Sequence, residues 1–374
     1  MSEWITAPLG DFITFQRGID ITRRSQTEGT VPVVSSGGVS SYHGTAFRDG
    51  PGVVIGRKGT LGKTFYLPGP YWPHDTTLWV RDFKKSYPRF VYYFMSRFDI
   101  SWLDTGSANP TLNRNHLHPI VVTWPAPAEQ QAIAEVLGAL DDKIAANTRL
   151  AATADELADT AFRKYLDSAT RGGTRFEEVA DIGGGGTPST KNSSYWGGEL
   201  NWATPTDVTA LDAPYLACTA RSITHDGLAA CSSPLYPVGT ILMTSRATIG
   251  AFAVLQVESA VNQGFITVRP TDRTSKWWLF HEMRSRVDEF KSWANGATFP
   301  ELSRGKFKKL PVRLAARRMM QEFDAYVDSF HARAAAAIAE NRTLAATRDA
   351  LLPHLMSGKI RVREIEDAAE EGGL

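Results

Sequence analysis

Two short stretches of the sequence set basic side chains beside hydroxyls, on what read as turns next to strands. They are Gly56-Arg57-Lys58-Gly59-Thr60-Leu61-Gly62-Lys63 and Thr244-Ser245-Arg246-Ala247-Thr248-Ile249-Gly250. A guanidinium or ammonium with a hydroxyl neighbour can bond phosphate oxygens and base edges, so nucleic-acid contact is the chemistry they suggest. The candidates in the first stretch are Arg57, Lys58, Thr60 and Lys63, with Arg17 upstream; in the second they are Ser245, Arg246 and Thr248. A further polar and aromatic cluster, running from Lys191 and Asn192 through Ser193, Tyr195 and Trp196 to Asn201 and Trp202, follows Thr187-Pro188-Ser189-Thr190. Lys191, Asn192 and Tyr195 join the candidate contacts. The competing reading is of ordinary surface loops with the tryptophans packed inside.

Other chemistries fit the residues poorly. Gly56 to Thr64 imitates a phosphate loop, but five residues separate Gly56 from Gly62 where that motif requires four, and the matching stretch lacks the second lysine. The run Gly183 to Gly186 has no βαβ context with an acidic residue about twenty positions on, so it reads as a loop or turn rather than a dinucleotide fingerprint. His116 and His118 have no cluster of carboxylates or cysteines beside them, so no metal site is expected. The two cysteines, Cys218 and Cys231, suggest neither a disulfide framework nor a zinc knuckle, and a structural role is expected for both. No catalytic constellation and no Asn-Pro-Pro-aromatic methyltransferase motif is found, so no catalytic residue is assigned.

The elements that must position the candidates repeat. Arg246 lies 188 residues beyond Lys58, and Ile266-Thr267-Val268-Arg269 lies over Leu78-Trp79-Val80-Arg81 at the same offset. Gly106, Pro110, Leu112 and Arg114 meet Gly296, Pro300, Leu302 and Arg304 at 190; Ile144 to Asn147 meet Ile338 to Asn341 at 194. The second copy has gained about four residues, placed within Ala334 to Ala337, which is close to one helical turn and predicts a longer second helix. After Pro125-Ala126-Pro127, the positions Ile133, Leu137, Leu140, Ile144, Asn147, Ala151, Ala154, Ala158, Ala161 and Tyr165 step by fours and threes, as in a coiled-coil seam. Phe323, Val327, Phe330, Ala334, Ala337, Asn341 and Leu344 step likewise, up to Pro353, which should kink or end the helix. Asn147 and Asn341 fall at matching positions, either buried and fixing register or solvated at a helix edge.

The remaining halves, 1 to about 125 and 170 to about 313, are rich in Gly, Pro, Thr and aromatics with short β-like runs, which predicts α+β domains. Apolar content of 43% and charged content of 22% are those of a folded, soluble protein. A net charge of +1 says nothing about partners, because a duplex binder needs a local basic surface. No basic, apolar leader and no membrane-length apolar run is present, so a cytoplasmic location is expected.

Several segments together resemble the specificity subunit of type I restriction-modification systems. These are Gly106 to Arg114 followed by Pro125 to Ile144, Thr187 to Lys191 with Tyr195-Trp196, Thr244 to Gly250, Asn262-Gln263-Gly264, and Leu351 to Ile360. Arg317-Arg318-Met319-Met320-Gln321 departs from the pattern that Pro127 to Gln131 follows in the first copy. The resemblance implies two target-recognition domains, at 1–125 and 169–313, each followed by a helical spacer, at 126–168 and 314–360, with an acidic tail at 361–374. It implies that the two helices pair as an antiparallel coiled coil with pseudo-twofold symmetry, through Leu137, Leu140, Ile144, Asn147, Phe323, Val327, Phe330 and Asn341. It implies a non-catalytic chain without a cofactor of its own, reading a split, asymmetric double-stranded DNA target in phage defence. Its partners would be modification subunits, two in number, that bind S-adenosylmethionine and methylate adenine, and a restriction subunit that uses ATP. Helices of this length would span roughly 55–60 Å at ~1.5 Å per residue, about one and a half duplex turns at ~34–36 Å each. A protein-binding scaffold is the rival from another class, and it predicts no salt-dependent DNA binding.

Overall fold

The computed structural model describes residues 4–100, 111–167, 169–295 and 300–363. Gly106, Pro110 and Gly296 of the repeat, and the acidic tail from 364 onward, lie outside the described residues.

The first head opens with β1 (Ile5–Pro8), α1 (Leu9–Phe12), β2 (Thr14–Arg17), β3 (Val31–Ser35), β4 (Gly38–His43), β5 (Gly52–Gly56) and β6 (Thr64–Leu67). It continues through β7 (Trp72–Pro73), β8 (Thr77–Asp82), α2 (Pro88–Ser96), α3 (Arg114–Leu117) and β9 (Val121–Trp124) into the long helix α4 (Pro127–Leu166). The second head runs β10 (Thr170–Arg175), α5 (Phe176–Val179), β11 (Ala180–Gly183), β12 (Trp196–Ala203), α6 (Pro205–Thr209), β13 (Tyr215–Leu216), β14 (Ser222–Ile223) and α7 (His225–Ala229). Then come β15 (Ile241–Thr244), β16 (Phe252–Leu255), β17 (Ser259–Val261), β18 (Phe265–Pro270), α8 (Lys276–Arg284), α9 (Val287–Ser292), α10 (Arg304–Lys309), β19 (Pro311–Leu314) and the long helix α11 (Arg317–Met356).

The repeat read from the sequence is a repeat of topology. Each head is closed by antiparallel pairing of its first and last strands, β1 with β9 and β10 with β19. The main sheets have the orders β2-β8-β5-β6 and β11-β18-β15-β16-β13, and the smaller sheets β4-β3-β7 and β14-β12-β17 each contain one parallel pair. The central strands β5 and β15 are buried along their whole length, which is why Val53-Val54-Ile55 and Ile241-Leu242-Met243 are apolar without alternation.

Two compact units result, 1–142 with 344–374 and 143–343, so each comprises one head and a segment of both long helices. In the first unit the core joins Phe15, Val53, Phe90 and Trp124 to Ile133 and Leu137 of α4 and to Leu352 and Leu355 of α11. In the second, Phe176, Ile241, Trp278 and Phe307 pack with Ala151, Ala154, Ala158 and Phe162 of α4 and with Phe323, Val327 and Ala334 of α11. Leu140, Ile144 and Phe330 are half-buried. Within each unit the helices run antiparallel: Phe162 meets Phe323 at 5.6 Å between ring centroids and Asn147 meets Ala337 in one, and Asp141 meets Arg348 in the other.

The seam asparagines are cross-helix ties. Asn147, 4% exposed, donates from Nδ2 to Ala337 O at 3.3 Å and Glu340 Oε2 at 2.8 Å. Asn341 donates to Ile144 O at 3.3 Å and Thr148 Oγ1 at 3.1 Å. This reciprocity is a local twofold: Asn147 is buried, and Asn341, half-buried, is bonded across the seam rather than left to solvent.

The longer second helix is not found: α4 and α11 each have 40 residues. In the register of the seam, the last turn of α4, Arg163 to Leu166, corresponds to Ser357 to Ile360, and that segment is turn rather than helix. Pro353 is accommodated three residues before the helix ends at Met356. The end is set by Gly358 in the left-handed region at φ +68°. Gly358 N donates to Leu355 O at 3.2 Å and Lys359 N to His354 O at 3.0 Å, the pair of bonds that closes a Schellman cap.

Each head rests on its own long helix through matching positions. In the first, Tyr87 N donates to Gln130 Oε1 at 2.8 Å, Arg89 binds Gly138 O and Asp142, and Tyr93 OH donates to Asp141 at 2.5 Å. In the second, Asp324 accepts from Ser275 Oγ at 2.7 Å, Trp277 Nε1 donates to Asp328 at 2.8 Å, and His281 Nε2 lies 3.1 Å from His331 Nε2. Met320 stands in place of Gln130, and Asp324 one turn later takes over the anchoring of α8.

Candidate nucleic-acid interface

The two basic loops, one between β5 and β6 and the other between β15 and β16, are fastened at equivalent backbone atoms. In the first, Arg57 N donates to Thr76 O at 2.9 Å, Leu112 N to Arg57 O at 3.0 Å, and Gly62 N to Gly56 O at 2.9 Å. In the second, Ser245 N donates to Gly264 O at 2.8 Å, Leu302 N to Ser245 O at 2.9 Å, and Gly250 N to Thr244 O at 3.0 Å. Both reverse through two left-handed residues, Gly59 (φ +75°) with Gly62 (φ +72°), and Ala247 (φ +58°) with Gly250 (φ +88°). Such a turn suits glycine, and Ala247 adopts it against the steric preference of an L residue.

In the first head the fold gathers Arg17, Arg57 and Lys58 around Asp75. Arg17 Nη2 donates to Asp75 Oδ2 at 2.7 Å, and Arg57 Nη1 reaches Asp75 O at 3.5 Å. Burial, followed by the charge of Arg17, lowers the Arg57 pKa. For Asp75 burial acts upward, but the Arg17 hydrogen bond and the charges of His74, Arg17 and Lys58 outweigh it and hold the carboxyl below its ordinary value. Lys58, Thr60 and Lys63 are exposed, and Lys63 Nζ donates to Gly37 O at 3.3 Å. Asp20, His74 and Asp75 bring three possible ligand atoms together. With Arg17 on Asp75 and Lys58 nearby, that group already lies in a positive field, which disfavours a cation there.

In the second head Arg246 is half-buried and Thr248 exposed. Ser245 is 3% exposed, and this removes it from the contact surface expected for it: the residue serves as the backbone staple between Gly264 and Leu302. The turn Asn262-Gln263-Gly264 abuts Arg246, whose Nε would lie 3.4 Å from a Cβ at Gly264. Thr187 Oγ1 donates to Gln263 Oε1 at 2.6 Å, tying the loop that leads to Lys191 onto this turn. Lys191 is exposed and Tyr195 half-buried; Asn192 spends its Oδ1 capping a short 3-10 turn, accepting from Ser194 N and Oγ.

Sequence reasoning passed over some residues. Arg221 stacks on Trp196 with its guanidinium carbon 3.6 Å from the ring centroid, whereas Trp202, named in the aromatic cluster, is buried as the competing reading expected and donates from Nε1 to Gly186 O at 3.0 Å. His74-Asp75-Thr76 stands where the second head has Asn262-Gln263-Gly264, and the 188-residue offset alone could have revealed it. His118 Nε2 accepts from Phe15 N at 3.0 Å, so it holds backbone. Cys218 is exposed, contrary to a buried structural role, and Cys231 is half-buried.

The duplication of topology is met again in a known family. The family of the type I restriction modification DNA specificity domain matches residues 1–154 and again 174–317. The chain belongs to this family. Over 140 residues it is 34% identical to the type I restriction enzyme MjaIX specificity subunit of Methanocaldococcus jannaschii, covering 37% of this chain and 32% of that protein. Over 194 residues it is 24% identical to the HindI specificity subunit of Haemophilus influenzae, covering 50% of this chain and 42% of that one. The chain thus spans about a third to two-fifths of the length of these curated relatives. Its fold matches the type I restriction-modification S subunit of M. genitalium with a TM-score of 0.67, over 95% of this chain and 96% of that one, at 14% identity. No helix among the described residues is long and apolar enough to cross a membrane.

Proposed function

We propose that the chain is the sequence-specific DNA recognition subunit of a type I restriction-modification complex, reading a split and asymmetric target with one head per half. The observation that carries this is the pair of loops, alike in backbone fastening and unlike in side chains: one frame presenting two chemistries suits two different half-sites. The contact residues in this reading are Arg17, Arg57, Lys58, Thr60 and Lys63 in the first head and Lys191, Asn192, Tyr195, Arg246 and Thr248 in the second.

The chain carries no chemistry of its own in this reading. Modification subunits, two of them, bind S-adenosylmethionine and methylate adenine, a restriction subunit uses ATP, and the assembly acts on DNA in the cytoplasm. The paired helices through Leu137, Leu140, Ile144, Asn147, Phe323, Val327, Phe330 and Asn341 act as the spacer.

The test is a base-substitution binding series on the assembled complex at several salt concentrations. Lys58→Ala is expected to weaken discrimination in one half-site and Arg246→Ala in the other, by about 1–3 kcal/mol per base pair affected. Equal loss in both halves, or wild-type binding that ignores both sequence and salt, overturns the reading.

A further inference from the structure

We propose that Asp75 is a specificity-determining residue of the first head, an anionic gate that holds Arg17 for a base edge while turning away the phosphate backbone. This rests on the reading of the heads as DNA readers and narrows it to one side chain.

The arrangement is built rather than incidental. The Arg17 side chain is 56% exposed and that of Asp75 only 20%, so the carboxylate sits behind the guanidinium that it binds at 2.7 Å. His74 Nδ1 lies 3.1 Å from the other carboxylate oxygen. Thr76, the next residue, accepts backbone hydrogen bonds from both Arg57 N and Lys58 N, which fixes the acid among three cations.

Uncompensated cations favour any duplex, because every neutralised phosphate releases counterions whatever the sequence. A carboxylate among them subtracts from that attraction. It leaves an arginine its directional N–H donors, which guanine O6 and N7 accept in a geometry that other bases do not offer.

The second head supplies the contrast. The neutral Gln263 stands at the position of Asp75 and is bonded to Thr187. Strand register places Gly184 where the first head has Arg17, since Gln16 pairs with Trp79 and Gly183 with Thr267, 188 residues on. The charged couple therefore belongs to one head alone, and its loss should be felt in one half-site alone.

The experiment uses the full chain assembled with its modification subunits and a duplex pool randomised over the target length, comparing wild type with Asp75→Asn, Asp75→Gln and Arg17→Ala. Asp75→Asn keeps an oxygen for Arg17 and removes only the charge; Asp75→Gln installs the second head's residue and serves if the asparagine variant unfolds. Wild type is expected to enrich two separate blocks of sequence. Asp75→Asn should flatten one block and tighten binding to the unselected pool about fivefold at low salt, a gain that shrinks as salt rises. Arg17→Ala should flatten the same block without that gain. If the Asp75 variants melt like wild type yet leave both blocks and the pool affinity unchanged, or flatten both blocks together, the gate is overturned while the DNA-reading function stands. If wild type enriches no block, the function itself falls.

Discussion

The seats of the two heads on their helices both hold an ion pair, Arg89 with Asp142 and Arg284 with Asp155, and differ at one matching pair of positions. Under the first head the seat is ionic: Tyr93 OH and Arg348 both bond Asp141, and Arg89 grips Asp142 with two bonds of 2.8 Å. The hydrogen bond to Asp142, outweighing burial, holds the Arg89 guanidinium firmly protonated, and burial followed by the Asp141 hydrogen bond pushes the Tyr93 phenol upward. Under the second head the same pair of positions holds two imidazoles, His281 and His331, which are 0% and 1% exposed.

Those imidazoles have one consistent arrangement of protons. Tyr215 OH donates to His331 Nδ1 over 2.8 Å, His331 Nε2–H to His281 Nε2 over 3.1 Å, and His281 Nδ1–H to Asp159 Oδ1 over 3.3 Å. Every buried nitrogen is then satisfied with both rings neutral. Burial lowers the pKa of both histidines, that of His331 to about 2, while the His281 hydrogen bond, outweighing burial, holds Asp159 at about 2. The lesson is that one frame accepts a charged or a neutral plug at this pair of positions.

The comparison can be broken most severely at Phe162, 0% exposed and in ring contact with Trp278, His281 and Phe323. Phe162→Ala is expected to cost the second unit about 3–5 kcal/mol in denaturant unfolding. Met356, its counterpart in the seam register, is only half-buried, and Met356→Ala should cost the first unit clearly less.

Acid comes next. A group whose folded pKa is depressed contributes stability that is complete above its unfolded value and lost as pH falls towards the folded value. For the histidine pair the loss begins near pH 6.5, the ordinary value, and continues towards about 2 for His331. The second unit should therefore weaken by about 1.4 kcal/mol per pH unit below that point through His331, or about 2 kcal/mol between pH 6.5 and 5, with His281 acting in the same direction. Urea titrations at stepped pH read this directly. His331→Phe should flatten the slope, and a slope of equal size in the first unit would undo the contrast.

A smaller effect belongs to the ionic seat. Tyr93→Phe leaves Asp141 its bond to Arg348, so the first unit should lose only about 1–2 kcal/mol, with the second unit unmoved in hydrogen exchange. The smallest concerns the loops. Ala247→Gly should stabilise the second head by up to about 1 kcal/mol and Gly59→Ala should destabilise the first by about 1–2 kcal/mol, since both positions are left-handed. Thermal melting of the two variants should move in opposite directions.

The parts that were legible in the sequence are those written as periodic or local patterns. The seam from Ile133 to Ala158 was readable because burial on a helix recurs by threes and fours, and the loops because basic and hydroxyl residues gather beside short β-like runs. The equal helix lengths were missed because the seam offset counts residues inserted, whereas the end is set locally by Gly358. A glycine just past a helical pattern would have given that warning. The pairing of Arg17 with Asp75, 58 residues apart, and of His281 with His331, 50 apart, has no local signature at all. Such contacts exist only once strands and helices have brought distant positions together.

The fastening of the two basic loops has a consequence for how such a protein changes over time. The bonds from Arg57 and Ser245 to their neighbours use main-chain atoms, which every residue type except proline supplies in full. The outward side chains at 58, 60, 246 and 248 can therefore be replaced one at a time without loosening the frame that displays them. On the proposed function, a protein made in this way can alter one half of its vocabulary while continuing to pronounce the other.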